Sequence, residues 1–298
     1  MTATMHKIAF IGVGKMGSVM AARLTRFDLK VYDANPAALR EFAAASGARA
    51  AASAADAGRD VDALVTMLPD DRAVRSALLD AGGAASTLAR GSIAIDMSTS
   101  DPRGTIAIGA ALAARGIAYV DAPVVGGVAF AKDGTLDIMA GGEAAAVDRC
   151  LPVFEALGRR VYRCGALGSG HALKALANYV NACTFINVLE AMTIGRKFGL
   201  DTSLMTEAFS AMCAGRQHPL EKKVIPHVLT RRYATGMALG FIEKDLRIAV
   251  GLAQGAGAAA PLAERVHEIW AEAASRLGAN VDQSEIVRYW EDADGVEL

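Results

Sequence analysis

The spacing of apolar and polar residues changes at about residue 165, just beyond the middle of the chain. From residue 6 to about 164, short apolar runs (KIAFIG, LKVYD, DALVTML, GSIAIDM, IAYVDAP) alternate with alanine-rich segments of helical period. Strands separated by helices predict a parallel sheet with crossover helices on both faces, which is a doubly wound α/β domain. After about residue 165, apolar residues recur three and four positions apart, which predicts helices without strands.

The pattern therefore predicts two domains, over residues 1–164 and 165–298. The boundary falls near GALGSG, and a long helix that joins the domains begins immediately after it. A chain of 298 residues is long for a single hydrophobic core, so its length agrees with this division. The predicted fold class is α/β, with an all-α C-terminal domain.

Composition and charge narrow the kind of partner. Apolar residues make up 53% of the chain and charged residues 21%, which argues against disorder. Because 31 basic residues stand against 32 acidic ones, no net field attracts nucleic acid or a membrane surface, and we expect a small-molecule partner.

The longest uncharged stretches, 175–189 and 248–263, are too short to span a membrane. Four widely spaced cysteines suit reduced thiols in a cytoplasm, and the histidine spacing predicts no metal site.

The segment GVGKMG, residues 12–17, matches the dinucleotide-binding pattern G-x-G-x-x-G. It follows an apolar strand and leads into a helix-like segment, which is the context that gives the pattern meaning. Gly12 permits a tight turn, Gly14 lets backbone amides approach a pyrophosphate, and Gly17 allows close packing of helix on strand. The pattern predicts a Rossmann-type domain whose cofactor contacts are Gly12, Val13, Gly14, Lys15, Met16 and Gly17.

Asp33 ends the second predicted strand, about twenty residues beyond the glycines. An acidic side chain there hydrogen-bonds a ribose 2′-hydroxyl and repels a 2′-phosphate, so it favours NAD over NADP. The alternative is that Asp33 only starts a turn before Pro36.

Two further strand ends, MLPDD (67–71) and DMSTSDP (96–102), should border the same cofactor. In an open α/β sheet, ligands lie at the carboxyl ends of the strands. Leu68 and Pro69 would then pack on the cofactor, and Thr99 would hydrogen-bond to it. Alternatively, each segment is an ordinary strand-to-helix loop.

Two segments carry candidate chemistry, DAPVVGG (121–127) and GSGHALKALAN (168–178). The glycine pair Gly126 and Gly127 can present backbone N–H groups to a substrate carboxylate, or can form a simple turn. Lys174 and Asn178 lie four residues apart on one helix face. A partly desolvated lysine near an oxidised nicotinamide has a lowered pKa and can exchange a proton with a hydroxyl, whereas an isolated helix lysine is usually a surface residue.

Four segments, GVGKMG, DAPVVGG, GSGHALKALAN and EKDLRIA (243–249), resemble the signature segments of the β-hydroxyacid dehydrogenases, typified by 3-hydroxyisobutyrate dehydrogenase and tartronate semialdehyde reductase. The resemblance covers essentially the whole chain. It implies that Lys174 is the catalytic acid/base, that Asn178 binds substrate and that Lys244 contacts the nicotinamide region. It also implies a carboxylate site at the glycine pair, and a helical domain that forms a homodimer or homotetramer.

The chain departs from this family pattern at two places. Val125 stands where the family has a serine that helps to hold the carboxylate, and a hydrocarbon side chain cannot donate that hydrogen bond. The segment GRQHP replaces a usual Gly-x-Ser-Trp type, which makes Arg216 a candidate clamp for a carboxylate or sulfonate, or else a solvated surface charge. His171, one turn before Lys174, would tune the lysine or serve a structural role.

The favoured function is NAD-dependent oxidation of a short β-hydroxyacid, or reduction of the matching semialdehyde. Imine reduction is the alternative within the same architecture, and Lys174 argues against it because imine reductases commonly have another residue there. A nucleotide-binding regulatory protein without turnover is the alternative from another class.

Overall fold

The computed structural model describes residues 5–215, 218–295 and 297–298. Between Tyr179 and Val180 the chain divides into two compact units, and this division falls inside the long helix that begins at Ser169. The first turns of that helix thus belong with the sheet. The sequence-based boundary at 164/165 stays a prediction.

Nine strands form one sheet in the described residues of the first unit. Their bounds are β1 (Lys7–Ile11), β2 (Asp28–Tyr32), β3 (Arg49–Ala50), β4 (Ala63–Thr66), β5 (Ile93–Asp96), β6 (Ala118–Asp121), β7 (Val124–Val125), β8 (Leu136–Gly141) and β9 (Gly158–Gly165). The strand order is β3-β2-β1-β4-β5-β6-β8-β7, with β9 paired to β8. The order reverses on either side of β1, as a doubly wound sheet requires.

Helices follow most of these strands. They are α1 (Gly17–Ala22), α2 (Pro36–Ser46), α3 (Ala54–Ala57), α4 (Asp71–Leu79), α5 (Pro102–Ala113), α6 (Gly127–Asp133), α7 (Ala144–Leu157) and α8 (Ser169–Phe198), with a 3₁₀ turn at Ala84–Ser86. Several helices begin where the sequence places a capping residue. Asn35 caps α2, Asp70 caps α4 and Asp101 caps α5, each by accepting hydrogen bonds from backbone N–H groups of the first turn.

The sheet separates two hydrophobic layers. In β1, Ile8 and Phe10 belong to one buried cluster, while Ala9 and Ile11 belong to the other. Side chains alternate between the two faces of a strand, and helices cover both faces here, so the strand reads as a continuous apolar run. The loops predicted to bind the cofactor lie at the carboxyl edge of this sheet, which is packed on both faces.

One edge of the sheet departs from the parallel pattern. Strands β1 to β6 pair in parallel, but β8 runs antiparallel to both β6 and β7. The connection between β7 and β8 contains only the seven-residue helix α6, which is too short for a crossover. The longer helix α7 lies between β8 and β9, which pair in parallel. The predicted fold class is confirmed, with this mixed edge added.

In the second unit, the described residues form helices and one isolated β-bridge. After the C-terminal part of α8 come α9 (Thr202–Cys213), a π-helical segment (Leu220–Val228), α10 (Leu239–Gly255), α11 (Pro261–Leu277), a 3₁₀ segment (Gln283–Val287) and α12 (Arg288–Asp294). Glu190 of α8 accepts hydrogen bonds from Leu262 N and Ala263 N at the start of α11. Among the described residues, no helix combines the length and apolarity needed to cross a bilayer.

Candidate active site

The loop after β1 places its three glycines in three different surroundings. Gly12 has φ +99°, and a Cβ added there would overlap the carbonyl oxygen of Met67. A Cβ on Gly17 would overlap the carbonyl oxygen of Gly12. Gly14, by contrast, has open space within 4 Å of its added Cβ. The outer glycines are therefore required by the fold, whereas the middle one leaves room beside the loop.

Asp33, at the end of β2, is bonded to this loop. Val13 N donates to Asp33 Oδ2 at 2.8 Å, and Asn35 N donates to Asp33 Oδ1 at 2.7 Å. A carboxylate oxygen can accept more than one hydrogen bond, so Asp33 can also accept from ribose hydroxyls. Asp33 thus orders the glycine loop and also turns a charged group toward the space beside it.

A cavity of about 950 Å³ lies beside this loop. Predicted cofactor residues that line it are Gly12, Gly14, Lys15, Met16, Gly17, Asp33, Leu68 and Pro69. Val13 is buried, and packs in the core instead. Thr99 is exposed and is not among the lining residues.

The lining fits a nicotinamide dinucleotide. The open space at Gly14 admits a pyrophosphate against the backbone, Asp33 supplies an acceptor for ribose hydroxyls, and Leu68 and Pro69 offer apolar contact. The volume is also within the range of ligand cavities.

The glycine pair predicted to bind a carboxylate follows the short strand β7. Gly126 and Gly127 have φ of +134° and +70°, a region that side chains disfavour. Val125 pairs with Asp137 of β8 and is half-buried. In this turn only the backbone N–H groups are suited to hold an anion, because Val125 brings no donor in its side chain.

Lys174 lies in the second turn of α8 and is half-buried. Desolvation lowers the pKa of its ammonium below the ordinary lysine value of 10.5. Asn178, one turn later, is exposed. The side chains share a helix face, and both precede the division between the two units.

Asp121, which ends β6, caps the helix that carries Lys174. Its Oδ1 accepts from Gly168 N at 2.7 Å, and its Oδ2 accepts from His171 N at 2.8 Å. An added Cβ on Gly170 would lie 2.8 Å from Asp121 Oδ2, so only glycine admits this approach. Burial raises the pKa of Asp121, and the two backbone N–H donors oppose that shift. Sequence reasoning missed this role, although Asp121 stands at the end of a predicted strand.

A second buried carboxylate, Asp96, ends the neighbouring strand β5. It accepts from Thr66 Oγ1 at 2.9 Å, from Ser98 N at 3.0 Å and from Ser100 Oγ at 3.2 Å. These donors belong to the ends of β4 and β5, including the DMSTSDP segment. The serines on either side of the predicted Thr99 are therefore structural, which the sequence did not indicate.

Two predicted residues belong to other parts of the chain. Arg216 lies outside the described residues. Lys244 is in α10 of the second unit, where its ammonium pairs with Asp245 at 2.9 Å and stands 5.9 Å from the centre of the Phe241 ring. In the described part of the chain, no group of three or more His, Cys, Asp and Glu side chains could hold a metal ion.

Two family models together match most of the chain. Residues 7–165 match the NAD binding domain of 6-phosphogluconate dehydrogenase, and residues 168–290 match the model described as NAD-binding of NADP-dependent 3-hydroxyisobutyrate dehydrogenase. The chain is also 32% identical over 298 residues to 2-(hydroxymethyl)glutarate dehydrogenase of Eubacterium barkeri, covering 98% of this chain and 97% of that one. The chain belongs to the β-hydroxyacid dehydrogenase family. The resemblance stated from the sequence is confirmed.

Other relatives agree with this placement. NAD-dependent L-serine dehydrogenase of Pseudomonas aeruginosa is 36% identical over 265 residues, covering 87% of this chain and 89% of that one. The solved structure of Mycobacterium tuberculosis 3-hydroxyisobutyrate dehydrogenase with L-serine superposes with a TM-score of 0.67 at 29% identity, covering 96% of this chain and 99% of that one. As a β-hydroxyacid dehydrogenase, the protein is an oxidoreductase of CH–OH groups that uses a nicotinamide cofactor.

Imine reductases share the fold. The V8 variant of the enzyme from Myxococcus stipitatus, in complex with NAD⁺, gives a TM-score of 0.85 over 96% of this chain and 99% of that one, at 20% identity. At that identity the likeness concerns architecture alone, because one fold supports several chemistries.

Proposed function

We propose that this protein oxidises short 3-hydroxyacids of the form HOCH₂–CH(R)–COO⁻ to the matching semialdehydes with NAD, or catalyses the reverse reduction. The observation that carries this proposal is Lys174, a half-buried lysine of lowered pKa on a helix anchored to the nucleotide-binding unit. Alcohol oxidation requires a general base, and a lysine that loses its proton readily can serve as one.

The relatives' names support this substrate class. L-serine, 3-hydroxyisobutyrate and 2-(hydroxymethyl)glutarate all carry a primary hydroxyl on the carbon next to the one that bears a carboxylate. They differ in R, which is an ammonium, a methyl group and a carboxyethyl group, respectively. The three molecules share the primary hydroxyl, which reacts, and the carboxylate on the neighbouring carbon. We therefore propose that the substrate of this protein has both groups, and we leave R unspecified.

In this mechanism Lys174 and the glycine turn act on different parts of the substrate. A bound NAD supplies the hydride acceptor at C4 of its nicotinamide. Lys174 Nζ, as the neutral amine, accepts the hydroxyl proton during oxidation, and as the ammonium it returns a proton during reduction. The backbone N–H groups of Gly126 and Gly127 hold the carboxylate, and Asn178 orients the hydroxyl end.

Three further residues complete the proposal. We keep Lys244 as a cofactor residue, because the family resemblance implies that role. Val125 leaves the carboxylate site one donor short of the family's usual serine. The guanidinium of Arg216, which lies outside the described residues, has the chemistry of a bidentate clamp for an acidic R group. These two departures from the family sequence favour a substrate more acidic than hydroxyisobutyrate.

Asp33 supports NAD as the preferred cofactor. Its carboxylate is fixed by Val13 N and Asn35 N in the wall of the nucleotide cavity. A 2′-phosphate placed against this carboxylate meets a like charge, whereas a ribose 2′-hydroxyl finds an acceptor. NADP is therefore the weaker cofactor.

A substrate panel tests the proposal. Absorbance at 340 nm is followed with L-serine, 3-hydroxyisobutyrate and 2-(hydroxymethyl)glutarate, each with NAD and with NADP. We expect turnover of at least one acid with NAD, its loss in Lys174→Ala and its retention in Lys7→Ala, a lysine exposed at the opposite end of β1. Full activity of Lys174→Ala would remove the mechanism. Turnover of a cyclic imine and of none of the acids would favour imine reduction.

We also propose that the protein is a homodimer or homotetramer that buries the C-terminal part of α8. Phe185, Ile186 and Leu189 are 66%, 56% and 48% exposed there, and large apolar surface of this kind is usually covered by a partner. Light scattering should give a multiple of 30.9 kDa. A charge in the middle of the face, in Phe185→Asp, should shift the mass toward the monomer, and a wild-type monomer would contradict the proposal.

A further inference from the structure

A cluster of buried polar groups lies at the carboxyl ends of β5 and β6. Asp96, Asp121 and His171 are each fully buried, and Thr105 of α5 is buried beside them. None of these side chains has a part in the proposed chemistry. Burying ionisable groups is costly unless each is hydrogen-bonded, so the arrangement calls for a functional explanation.

The imidazole of His171 is bonded at both nitrogens. Nε2 lies 3.1 Å from the carbonyl oxygen of Ser98, and Nδ1 lies 2.7 Å from Thr105 Oγ1. A carbonyl oxygen only accepts, so Nε2 donates to Ser98. The Thr105 hydroxyl also lies 3.1 Å from the carbonyl oxygen of Asp101, so it links the ring to the backbone at the start of α5. The ring is therefore fixed in orientation.

The two carboxylates stand on either side of this ring. Asp96 Oδ2 is 3.8 Å from Nε2, and Asp121 Oδ2 is 3.9 Å from Nδ1. Asp121 also accepts the backbone N–H of His171 itself. The first turn of α8 is thus held to β6 through its backbone, and to the β5 loop and α5 through one side chain.

Ser98 connects this cluster to the nucleotide cavity. Its carbonyl accepts from His171, while its Oγ accepts from Leu68 N at 2.9 Å. Leu68 lines the cavity. In the other direction, Lys174 follows His171 by three residues, which is about one helical turn. Ser98 and His171 therefore form a short bonded path between the cofactor loop and the helix that carries the lysine.

We propose that His171 is a positioning residue that fixes Lys174 relative to the Leu68 loop of the nucleotide cavity. This inference rests on the proposed function, because it gives Lys174 the proton-transfer role. It adds that the reaction depends on a residue that touches neither substrate nor cofactor. A small misplacement of a reacting group can cost a large factor in rate, so the effect should appear in kcat.

Three variants and one control separate positioning from general stability. His171→Leu fills the space without hydrogen bonds. His171→Gln can donate to the Ser98 carbonyl and bond to the Thr105 hydroxyl, and Thr105→Val removes the bond to Nδ1 together with the bond to the Asp101 carbonyl. The matched control is Val153→Ala, which opens a cavity in the core of the same unit, in α7 and outside this cluster.

The first readout is steady-state kinetics with whichever panel acid the wild type oxidises, together with NADH affinity by fluorescence. We expect His171→Leu to lower kcat by roughly tenfold or more while the Kd for NADH changes little, since a misplaced base impairs chemistry rather than nucleotide binding. Thr105→Val should show a smaller loss, and His171→Gln should recover most of kcat. Val153→Ala should lose thermal stability but keep kcat.

The second readout does not need turnover. Lys174 is labelled with trinitrobenzenesulfonate and quantified by peptide mass spectrometry, with the exposed Lys132 as internal reference. Labelling is carried out at a pH above the ordinary lysine pKa of 10.5, where the amine is mostly neutral in every variant. Release of the first turn should then raise labelling of Lys174 in His171→Leu through greater exposure, and His171→Gln should restore the wild-type rate.

The outcomes distinguish the positioning role from the proposed function. Wild-type kcat and wild-type Lys174 labelling in His171→Leu would overturn the positioning role. That role is also excluded if Val153→Ala loses kcat in parallel, or if glutamine does no better than leucine. If the wild type oxidises no panel acid, the proposed function fails, while the labelling result still decides whether His171 fixes Lys174.

Discussion

The three glycines of the nucleotide loop should respond differently to the same added methyl group. Gly12→Ala must place an alanine at φ +99° and move the Met67 carbonyl. A left-handed conformation costs an alanine about 1–2 kcal/mol before any overlap is counted. At roughly 2–4 °C per kcal/mol for a domain of this size, the melting temperature should fall by at least several degrees. Gly17→Ala should be destabilised as well, through overlap with the Gly12 carbonyl.

Gly14→Ala should leave the fold intact and weaken nucleotide binding. Its added methyl group meets no atom within 4 Å and enters the cavity that we assign to NAD. The φ of Gly14 is outside the positive region, so alanine is tolerated there, and the smaller entropy of the unfolded chain gives a slight stabilisation. A pyrophosphate displaced by the methyl group loses charge-assisted hydrogen bonds of about 1.5–3 kcal/mol, which corresponds to roughly a 10- to 150-fold higher Kd.

The assay pairs melting temperature without nucleotide and NADH affinity by fluorescence. Nucleotide must be absent from the melting experiment because a ligand that binds the native state raises the apparent stability. If Gly14→Ala melts as low as Gly12→Ala, the middle glycine is a fold residue. If it binds NADH with wild-type affinity, the cavity beside Gly14 is not the pyrophosphate site.

Three further predictions concern the catalytic helix and the cofactor. Because desolvation lowers the pKa of Lys174, the neutral base is populated below the ordinary lysine range. The kcat/KM for oxidation should therefore rise with pH through a pKa under 10.5, and a profile that still titrates at 10.5 would contradict this. Asp33→Asn removes the charge and keeps an acceptor for only one of Val13 N and Asn35 N. The ratio of NADP to NAD activity should increase, and an unchanged ratio would assign Asp33 to loop structure alone. Asp121→Asn replaces one acceptor oxygen with an NH₂ group that faces a backbone N–H, so the melting temperature and kcat should both fall. If neither value changes, the cap is dispensable.

The parts of the site that the sequence predicted are those encoded by local pattern. The glycine loop and Asp33 lie within one strand–turn–helix–strand unit, and Leu68 and Pro69 follow β4. Their spacing along the chain corresponds directly to their positions at the sheet edge, since parallel strands end on the same side. Thr99 is predicted on the same ground, because it also follows the end of a strand. The neighbouring serines are buried, however, and Thr99 is exposed.

The parts that the sequence left out depend on pairing between distant segments. The apolar runs that predict strands do not include Leu136–Gly141, so its antiparallel pairing with β6 and β7 is absent from the sequence-based fold. Nothing in the local pattern marks Asp96 and Asp121 as buried, because a carboxylate is usually exposed. Both are instead fully buried, and the donors that make this possible include groups from β4 and from the start of α8.

The way α8 is capped explains why its start carries the chemistry. The helices α2, α4 and α5 are capped by the residue that precedes them, which sets where each helix begins along the chain. In α8 the capping carboxylate comes from Asp121, 47 residues before Gly168, and its bond sets where the helix begins in space. A proton-transfer group must be fixed in space, because its reactivity depends on its distance to the reacting partner and not on its position in the sequence. A local cap at Gly168 would leave α8 helical, but it would not hold Lys174 to the sheet edge that carries the nucleotide cavity.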